Sequence, residues 1–233
     1  MSESTDLLAV VFDMDGLMLN TEWLYQQVGT ELLRRRGKPF EPELLDQMMG
    51  RRSPVALQMM IDWHGLADTV ETLRGESKQI YSAIIETQLE QMPGLLELLA
   101  ALETAALPKA IATSSGRQFT ETVLSRFDLA PRFAFILTGD DVVEGKPHPE
   151  VYLRAAERLA IEPRRMMVLE DSQIGCRAAV AAGAFAVAVP AGHSRSHDFS
   201  GTAFVAESLG DSRIYAALRL AIATGKIAGN ERK

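Results

Sequence analysis

LLAVVFDMDGLMLNTE, residues 7 to 22, is the stretch on which the reading of this chain turns. Its apolar run, Leu7 to Phe12, is rich in valine and lacks alternation, which predicts a strand buried on both faces of a parallel sheet. Asp13 and Asp15 follow at once, and Gly16 breaks the run. Side chains at i and i+2 of an extended chain point to the same side. Both carboxylates are therefore expected to face the space beyond the strand's carboxyl end, where open α/β sheets place their ligands. Two carboxylates so close repel, a cost that a shared cation or proton offsets. An isolated DxDG also reads as an acidic surface turn, so its meaning depends on the rest of the chain.

Downstream of this segment the spacing turns helical. Leu24, Val28, Leu32 and Leu33 predict a helix from Thr21 to Arg36, with Thr21 as N-cap candidate and Gly37 as the stop. Pro42 to Met49 and Ser53 to Trp63 read as further helices, the latter with Ser53 as N-cap and Pro54 at its first position. A long amphipathic stretch runs from about Val70 to Leu89. No convincing strand interrupts this block, so it reads as a helical bundle inserted after the first strand.

From Pro93 onward, short apolar strands alternate with helices. Lys109 to Ala112, Phe133 to Thr138, Met166 to Leu169, Phe185 to Val189 and Phe204 to Val205 are the expected strands. Leu95 to Leu102, Arg117 to Phe127, Pro149 to Leu159 and the alanine-rich segment after Ser172 are the expected helices. Such alternation with short links predicts an α/β fold with a doubly wound parallel sheet. The expected division is a core of residues 1–18 and 90–233 and a helical cap of residues 19–89.

Composition sets the class. The chain has 233 residues, 47% apolar and 24% charged, which are ordinary values for a globular protein with a sizeable core. A net charge of −7 argues against a nucleic-acid surface, which needs clustered Lys and Arg. Cys176 is the only cysteine, so no intrachain disulfide forms and a reducing, cytoplasmic setting is expected. MSESTD is too polar for a signal peptide, and no apolar run is long enough to span a bilayer. GKIAGNERK at the end reads as a frayed tail. The ten methionines read as core filler.

Three further polar clusters lie at or beside expected strand ends. Thr113-Ser114 follows the second strand, where a hydroxyl and backbone N–H groups suit a phosphate oxygen, or a helix cap. Glu170-Asp171 brings two more carboxylates to the same rim, or an acidic helix start. Lys146 stands in GKPHPE, stiffened by Pro147 and Pro149. Four converging carboxylates repel strongly at low dielectric. A hard divalent cation held through oxygens, together with Lys146, balances them, and Mg2+ fits because it keeps places for water and substrate phosphate. His64, His148, His193 and His197 lack the spacing of a zinc site.

The ordered set FDMDG, IATSS, GKPHPE and LEDSQIGCRAAVAAGA resembles the four motifs of the haloacid dehalogenase superfamily, over nearly the whole chain. It is similar to the subgroup with a small helical cap between the first two motifs, which includes β-phosphoglucomutase and many sugar-phosphate and nucleotide phosphatases. MGRRSPVALQMMIDW and MPGLLELL resemble the pseudouridine-5'-phosphatase-like branch. The resemblance implies a Rossmann-like core and a magnesium-dependent phosphomonoesterase acting through an aspartyl phosphate. It casts Asp13 as nucleophile and Asp15 as acid and base. Metal ligands would come from Asp13, the Asp15 backbone carbonyl and Asp171, with Glu170 as ligand or support. Thr113 and Ser114 would hold the phosphoryl oxygens, and Lys146 would neutralise charge on nucleophile and phosphate. Asp15 also disfavours carbon–halogen and carbon–phosphorus cleavage, because the relatives that perform them lack that acid.

Substrate choice falls to the cap. Arg51 and Arg52 follow Gly50 in an expected loop and stand as candidates for a substrate hydroxyl or second anion, or as ordinary surface charges. Asn20, Trp23 and Tyr25 lie where the chain leaves the core, and packing between helices is the favoured reading of the two aromatics. Tyr25 falls where β-phosphoglucomutase carries a histidine thought to restrain water, so hydrolysis is favoured over a mutase. A retired binding or regulatory protein on the same scaffold is the alternative from another class. The expected partner is a small phosphorylated metabolite, with no nucleic acid or membrane, and the expected state is a monomer. The cap is expected to open and close on links near residues 17–20 and 89–93.

Overall fold

A computed structural model describes residues 6–221, so the GKIAGNERK tail lies outside the described residues. Strand β1 (Ala9–Phe12) is wholly buried. Four helices follow before the chain returns to the sheet: α1 (Thr21–Arg34), α2 (Pro42–Met48), α3 (Ser53–His64) and α4 (Val70–Gln88). The remainder alternates: α5 (Leu95–Thr104), β2 (Lys109–Ala112), α6 (Arg117–Ser125), β3 (Ile136–Leu137), α7 (Glu150–Arg158), β4 (Met166–Glu170), α8 (Gln173–Ala181), β5 (Phe185–Ala188), β6 (Phe204–Val205) and α9 (Ser212–Ala217). Sequence periodicity does not anticipate the short helix α9.

Among the described residues the six strands are parallel, in the order β3-β2-β1-β4-β5-β6. The fold is thus the expected doubly wound, Rossmann-like sheet. The winding direction reverses between β1 and β4, which pair with Phe12 opposite Leu169. A reversal of that kind opens a crevice at the strands' carboxyl ends, and there Asp13 and Glu170 emerge side by side.

Alternation along β1 splits the core into two layers. Val10 and Phe12 join Ile111, Met167 and Leu169 under α5 and α6, in a cluster that continues into the inserted helices through Leu24, Leu32 and Tyr81. Val11 joins Ala110, Ala112 and Val168 beneath α7 and α8, where Ala155, Ala178 and Ala179 allow the helices to approach closely. Among the described residues, no helix is long and apolar enough to cross a membrane.

Two expected helix caps are used otherwise. Asn20, not Thr21, occupies the N-cap of α1, and its side chain bonds Gln88 O and Glu90 N instead, at 2.9 Å each. Thr21 is the first helical residue and turns its hydroxyl to Asp15. Arg52 precedes α3, which begins at Ser53 with Pro54 in its first turn and no side-chain cap bond. Ser172 does cap α8, accepting from Gly175 N at 3.2 Å. Trp23 is 52% exposed, so of the two aromatics only Tyr25 packs between helices.

Candidate active site

Lys146 organises the floor of the crevice. Its Nζ donates to Asp13 Oδ1 at 2.5 Å, to Glu170 Oε1 at 2.7 Å and to the Ala112 carbonyl at 3.0 Å. The Tyr152 ring lies beneath the ammonium at 5.1 Å, and its hydroxyl donates to Glu170 Oε1 at 2.7 Å. All four side chains are buried. Burial opposes the ammonium, but Asp13 and then Glu170 outweigh it and hold the lysine well above its usual range. A lysine that looks ordinary in sequence is therefore a buried cation.

Glu170 is fully engaged by protein. Its second oxygen accepts from Ser172 Oγ at 3.0 Å and Ser172 N at 3.2 Å. A Cβ on Gly175 would fall 1.8 Å from Glu170 Oε1, so only glycine leaves room for this carboxylate under α8. Asp171, next along the chain, accepts no hydrogen bond among the described residues and lines the crevice. Asp13, Glu170 and Asp171 each offer an oxygen, and these atoms lie within 4.8 Å of one another. Burial, then the neighbouring carboxylates, raise both Asp13 and Asp171 well above the usual range, with Lys146 opposing. One lysine does not balance this group.

The Asp15 carboxylate is set apart from that cluster. Oδ1 accepts from Thr21 Oγ1 at 2.7 Å, and Oδ2 accepts from Ser115 Oγ at 2.7 Å and Thr113 Oγ1 at 2.9 Å. Three hydroxyls thus hold the side chain away from the acidic cluster, which leaves only the backbone carbonyl of Asp15 as a candidate metal ligand. Burial raises the Asp15 carboxyl even against donation from Thr21, Ser115 and Thr113. Thr113 is 1% exposed; its hydroxyl donates to Asp15 and accepts from Ser115 N at 3.0 Å, which ties the loop to that carboxylate. Ser114 and Ser115 do line the crevice.

Two residues at this site carry little signal in the sequence. Glu22 stands in the first turn of α1, where an acidic residue is unremarkable. In three dimensions it faces Asp171 across Gly16, whose φ is +79° and whose added Cβ would lie 2.2 Å from Asp171 Oδ2 and 2.9 Å from Glu22 Cγ. Burial and the Asp15 charge push Glu22 up to about 8, against an N–H bond from Gly50. Ser115 reads as a helix cap and is instead a donor to Asp15.

The crevice opens into a cavity of about 680 Å³ between the inserted helices and the sheet. Arg51 and Arg52 line it. Arg51 Nε donates to Gln47 O at 2.7 Å, and Arg52 Nη1 reaches across to Val143 O at 3.0 Å. Arg74 pairs with Glu71 and Arg117 with Asp141, while neither Arg51 nor Arg52 has a carboxylate partner among the described residues. Tyr25, Tyr81 and Phe119 close one wall as an aromatic trio with ring centres 5.0–5.4 Å apart. An anionic floor under a cationic rim suits an anion brought in with a compensating metal ion.

Comparison with known proteins agrees with this geometry. The family model for haloacid dehalogenase-like hydrolases matches residues 10–189. A phosphorylated carbohydrates phosphatase of Thermotoga maritima is 33% identical over 175 residues, 75% of this chain and 81% of that protein. A probable pseudouridine-5'-phosphatase of Drosophila melanogaster is 33% identical over 186 residues, 77% of this chain and 78% of that one. The crystal structure of a putative β-phosphoglucomutase from Thermotoga maritima superposes with a TM-score of 0.70 at 28% identity, covering 91% of this chain and 97% of that one. The chain belongs to the haloacid dehalogenase-like hydrolase family. Within that class it is a phosphoric monoester hydrolase.

Proposed function

We propose that this enzyme hydrolyses a small phosphorylated metabolite, a sugar phosphate or nucleotide-like ester, through a phosphoryl group carried on Asp13. The observation that carries the reading is the division of labour between two aspartates two residues apart. Asp13 is fixed by Lys146 among buried carboxylates, while Asp15 is clasped by three hydroxyls with its carboxyl raised. One is placed to remain ionised once compensated, and the other to carry a proton.

In the first step an Asp13 oxygen attacks phosphorus, the ester P–O bond breaks, and Asp15 gives its proton to the departing oxygen. In the second, water attacks phosphorus and passes a proton to Asp15. The Asp13–phosphorus bond breaks, orthophosphate leaves and the carboxylate is restored. Lys146 offsets charge on Asp13 throughout. The donor set fits Mg2+: oxygens only, buried, with more negative charge than one lysine offsets and with Asp171 accepting no hydrogen bond among the described residues. Asp13 and Asp171 would hold the ion, with the Asp15 carbonyl as the further ligand that the family resemblance implies, and Glu170 would anchor Lys146. Bound there, magnesium supplies charge neutralisation for the phosphoryl oxygens.

Residues 19–89 act as a cap. Its two links run side by side, with Asn20 N on Glu90 O at 3.1 Å and Met92 N on Met18 O at 2.9 Å, so they form a compact hinge. Arg51 and Arg52 face the ester's leaving group from this cap. Tyr25 is tied into the aromatic trio, which favours hydrolysis over the phosphosugar mutase alternative. Phosphate release from p-nitrophenyl phosphate and a panel of sugar phosphates and nucleotides tests the reading. Turnover is expected to need Mg2+ and to fall by about 10³-fold or more in Asp13→Asn. Turnover unchanged in Asp13→Asn overturns it, and interconversion of hexose phosphates without phosphate release identifies the mutase.

A further inference from the structure

His193 and His197 lie four residues apart on the short turn Gly192–Ser196 and just beyond it, after β5. Their spacing alone points to no metal site. The third ligand comes from α2. His193 Nε2 lies 2.6 Å and His197 Nε2 2.8 Å from the same oxygen, Asp46 Oδ1. One ligand atom from each of the three residues falls within 4.8 Å of the others. The two imidazole rings stand at 88° with centroids 6.0 Å apart, so both nitrogens are aimed at a common point from different directions. The group is separate from the acidic cluster and shares no residue with it.

We propose that Asp46, His193 and His197 form a binding site for a zinc-class divalent cation (Zn2+, Co2+ or Ni2+) that clasps the cap helix α2 to the core. Two imidazoles and one carboxylate are the donors such ions prefer, whereas Mg2+ takes oxygen ligands. Metal bonds of about 2.0–2.2 Å in tetrahedral array set neighbouring ligand atoms roughly 3.3 Å apart. The pairs at 2.6 and 2.8 Å must therefore open by about 0.5–0.7 Å for a metal to replace the hydrogen-bonding protons. Asp46 has 43% of its side chain exposed and is free to make that shift. His197 is held more firmly, with 8% exposure, a neighbouring Phe199 ring at 6.4 Å and a buried Nδ1 without a hydrogen-bond partner among the described residues, so there Nε2 carries its polar contact. The open side at Asp46 and His193 gives an access path and a place for water as fourth ligand.

Cobalt(II) titration of tag-free, chelator-stripped protein in excess Mg2+ tests the site. The expected result is visible absorption of nitrogen-ligated cobalt with two far-shifted, exchangeable imidazole proton resonances. Both signals are expected to vanish in the His193→Gln/His197→Gln variant. Asp46→Asn, a change at an exposed position that keeps the fold, is expected to weaken cobalt binding by about tenfold or more. Cobalt binding without shifted imidazole resonances, no binding at all, or equal binding in the histidine variant overturns the proposal. The acidic cluster holds no imidazole, so the result is independent of whether that cluster takes Mg2+ or Asp13 carries a phosphoryl group.

Discussion

At the scale of single residues, Lys146 is the position on which most depends. It is one cation between two buried carboxylates, with side-chain exposures of 2%, 8% and 1% for Lys146, Asp13 and Glu170. Breaking a buried ion pair from one side leaves the other charge without compensation, which costs roughly 3–5 kcal/mol. Lys146→Met is therefore expected to lower unfolding free energy by about that amount in urea titrations, besides abolishing turnover. Adding Glu170→Gln to Lys146→Met removes one of the orphaned charges and is expected to recover part of the loss. A single variant as stable as the parent would show that the lysine is not a structural counter-ion. Nothing in GKPHPE announces this burial, because a lysine in a proline-rich loop is ordinarily solvated. Only its order relative to the other motifs marks it.

Between elements, charged ties join the end of α5 to the sheet edge. Glu103 accepts from Arg132 at 2.8 Å twice and pairs with the buried Lys109 at 3.1 Å. Donation from Arg132 holds the Glu103 carboxyl down at about 2, below the ordinary 4.5. A depressed folded value means stabilisation that is complete above the unfolded value and lost as pH falls from 4.5 toward 2. Because Glu103 is 42% exposed, solvent screening limits its worth to about 1 kcal/mol or less. Glu103→Gln is expected to show that deficit in chemical denaturation at pH 7 and a smaller one at pH 3. A deficit that grows on acidification would contradict the tie. Strand and helix periods place the central elements well: β2 is Lys109–Ala112 as read from the sequence. At the sheet edge the reading is too generous, since Phe133 to Thr138 yields only the two-residue β3. Its flanking backbone still bonds β2, Ala134 N to Lys109 O at 2.9 Å and Ile111 N to Phe135 O at 3.2 Å, but as an edge strand it needs only a short regular ladder.

For the whole molecule, the consequence of inserting α1–α4 after β1 is a cavity with walls from two directions. Arg52 spans them, with its guanidinium on Val143 O and its methylenes against Gly145, where an added Cβ would lie 2.9 Å from Arg52 Cδ. On the proposed reading, Arg52 meets the ester's distal group when the cap is closed. Arg52→Ala is expected to raise KM about tenfold, the worth of a charge-assisted hydrogen bond, while leaving unfolding free energy within about 0.5 kcal/mol. Steady-state kinetics on the best ester of the panel, beside a urea titration, separates the two effects. A changed stability with KM intact would make Arg52 a strut and not a substrate contact.

Sequence by itself determined the parallel α/β core, the inserted helices and the identity of the acidic cluster, because hydrophobic period and strand-end chemistry are local properties of the chain. It located Asp13, Glu170, Asp171 and Lys146 without showing that Glu170 is already satisfied by Lys146, Tyr152 and Ser172. Tertiary structure alone decided which hydroxyls Asp15 receives, that Glu22 faces Asp171, and that Asp46 meets His193 and His197 across nearly 150 residues of chain, |i−j| being 147 and 151. Such pairings depend on where α1–α4 come to rest against the sheet, and no periodicity within either partner encodes that distance.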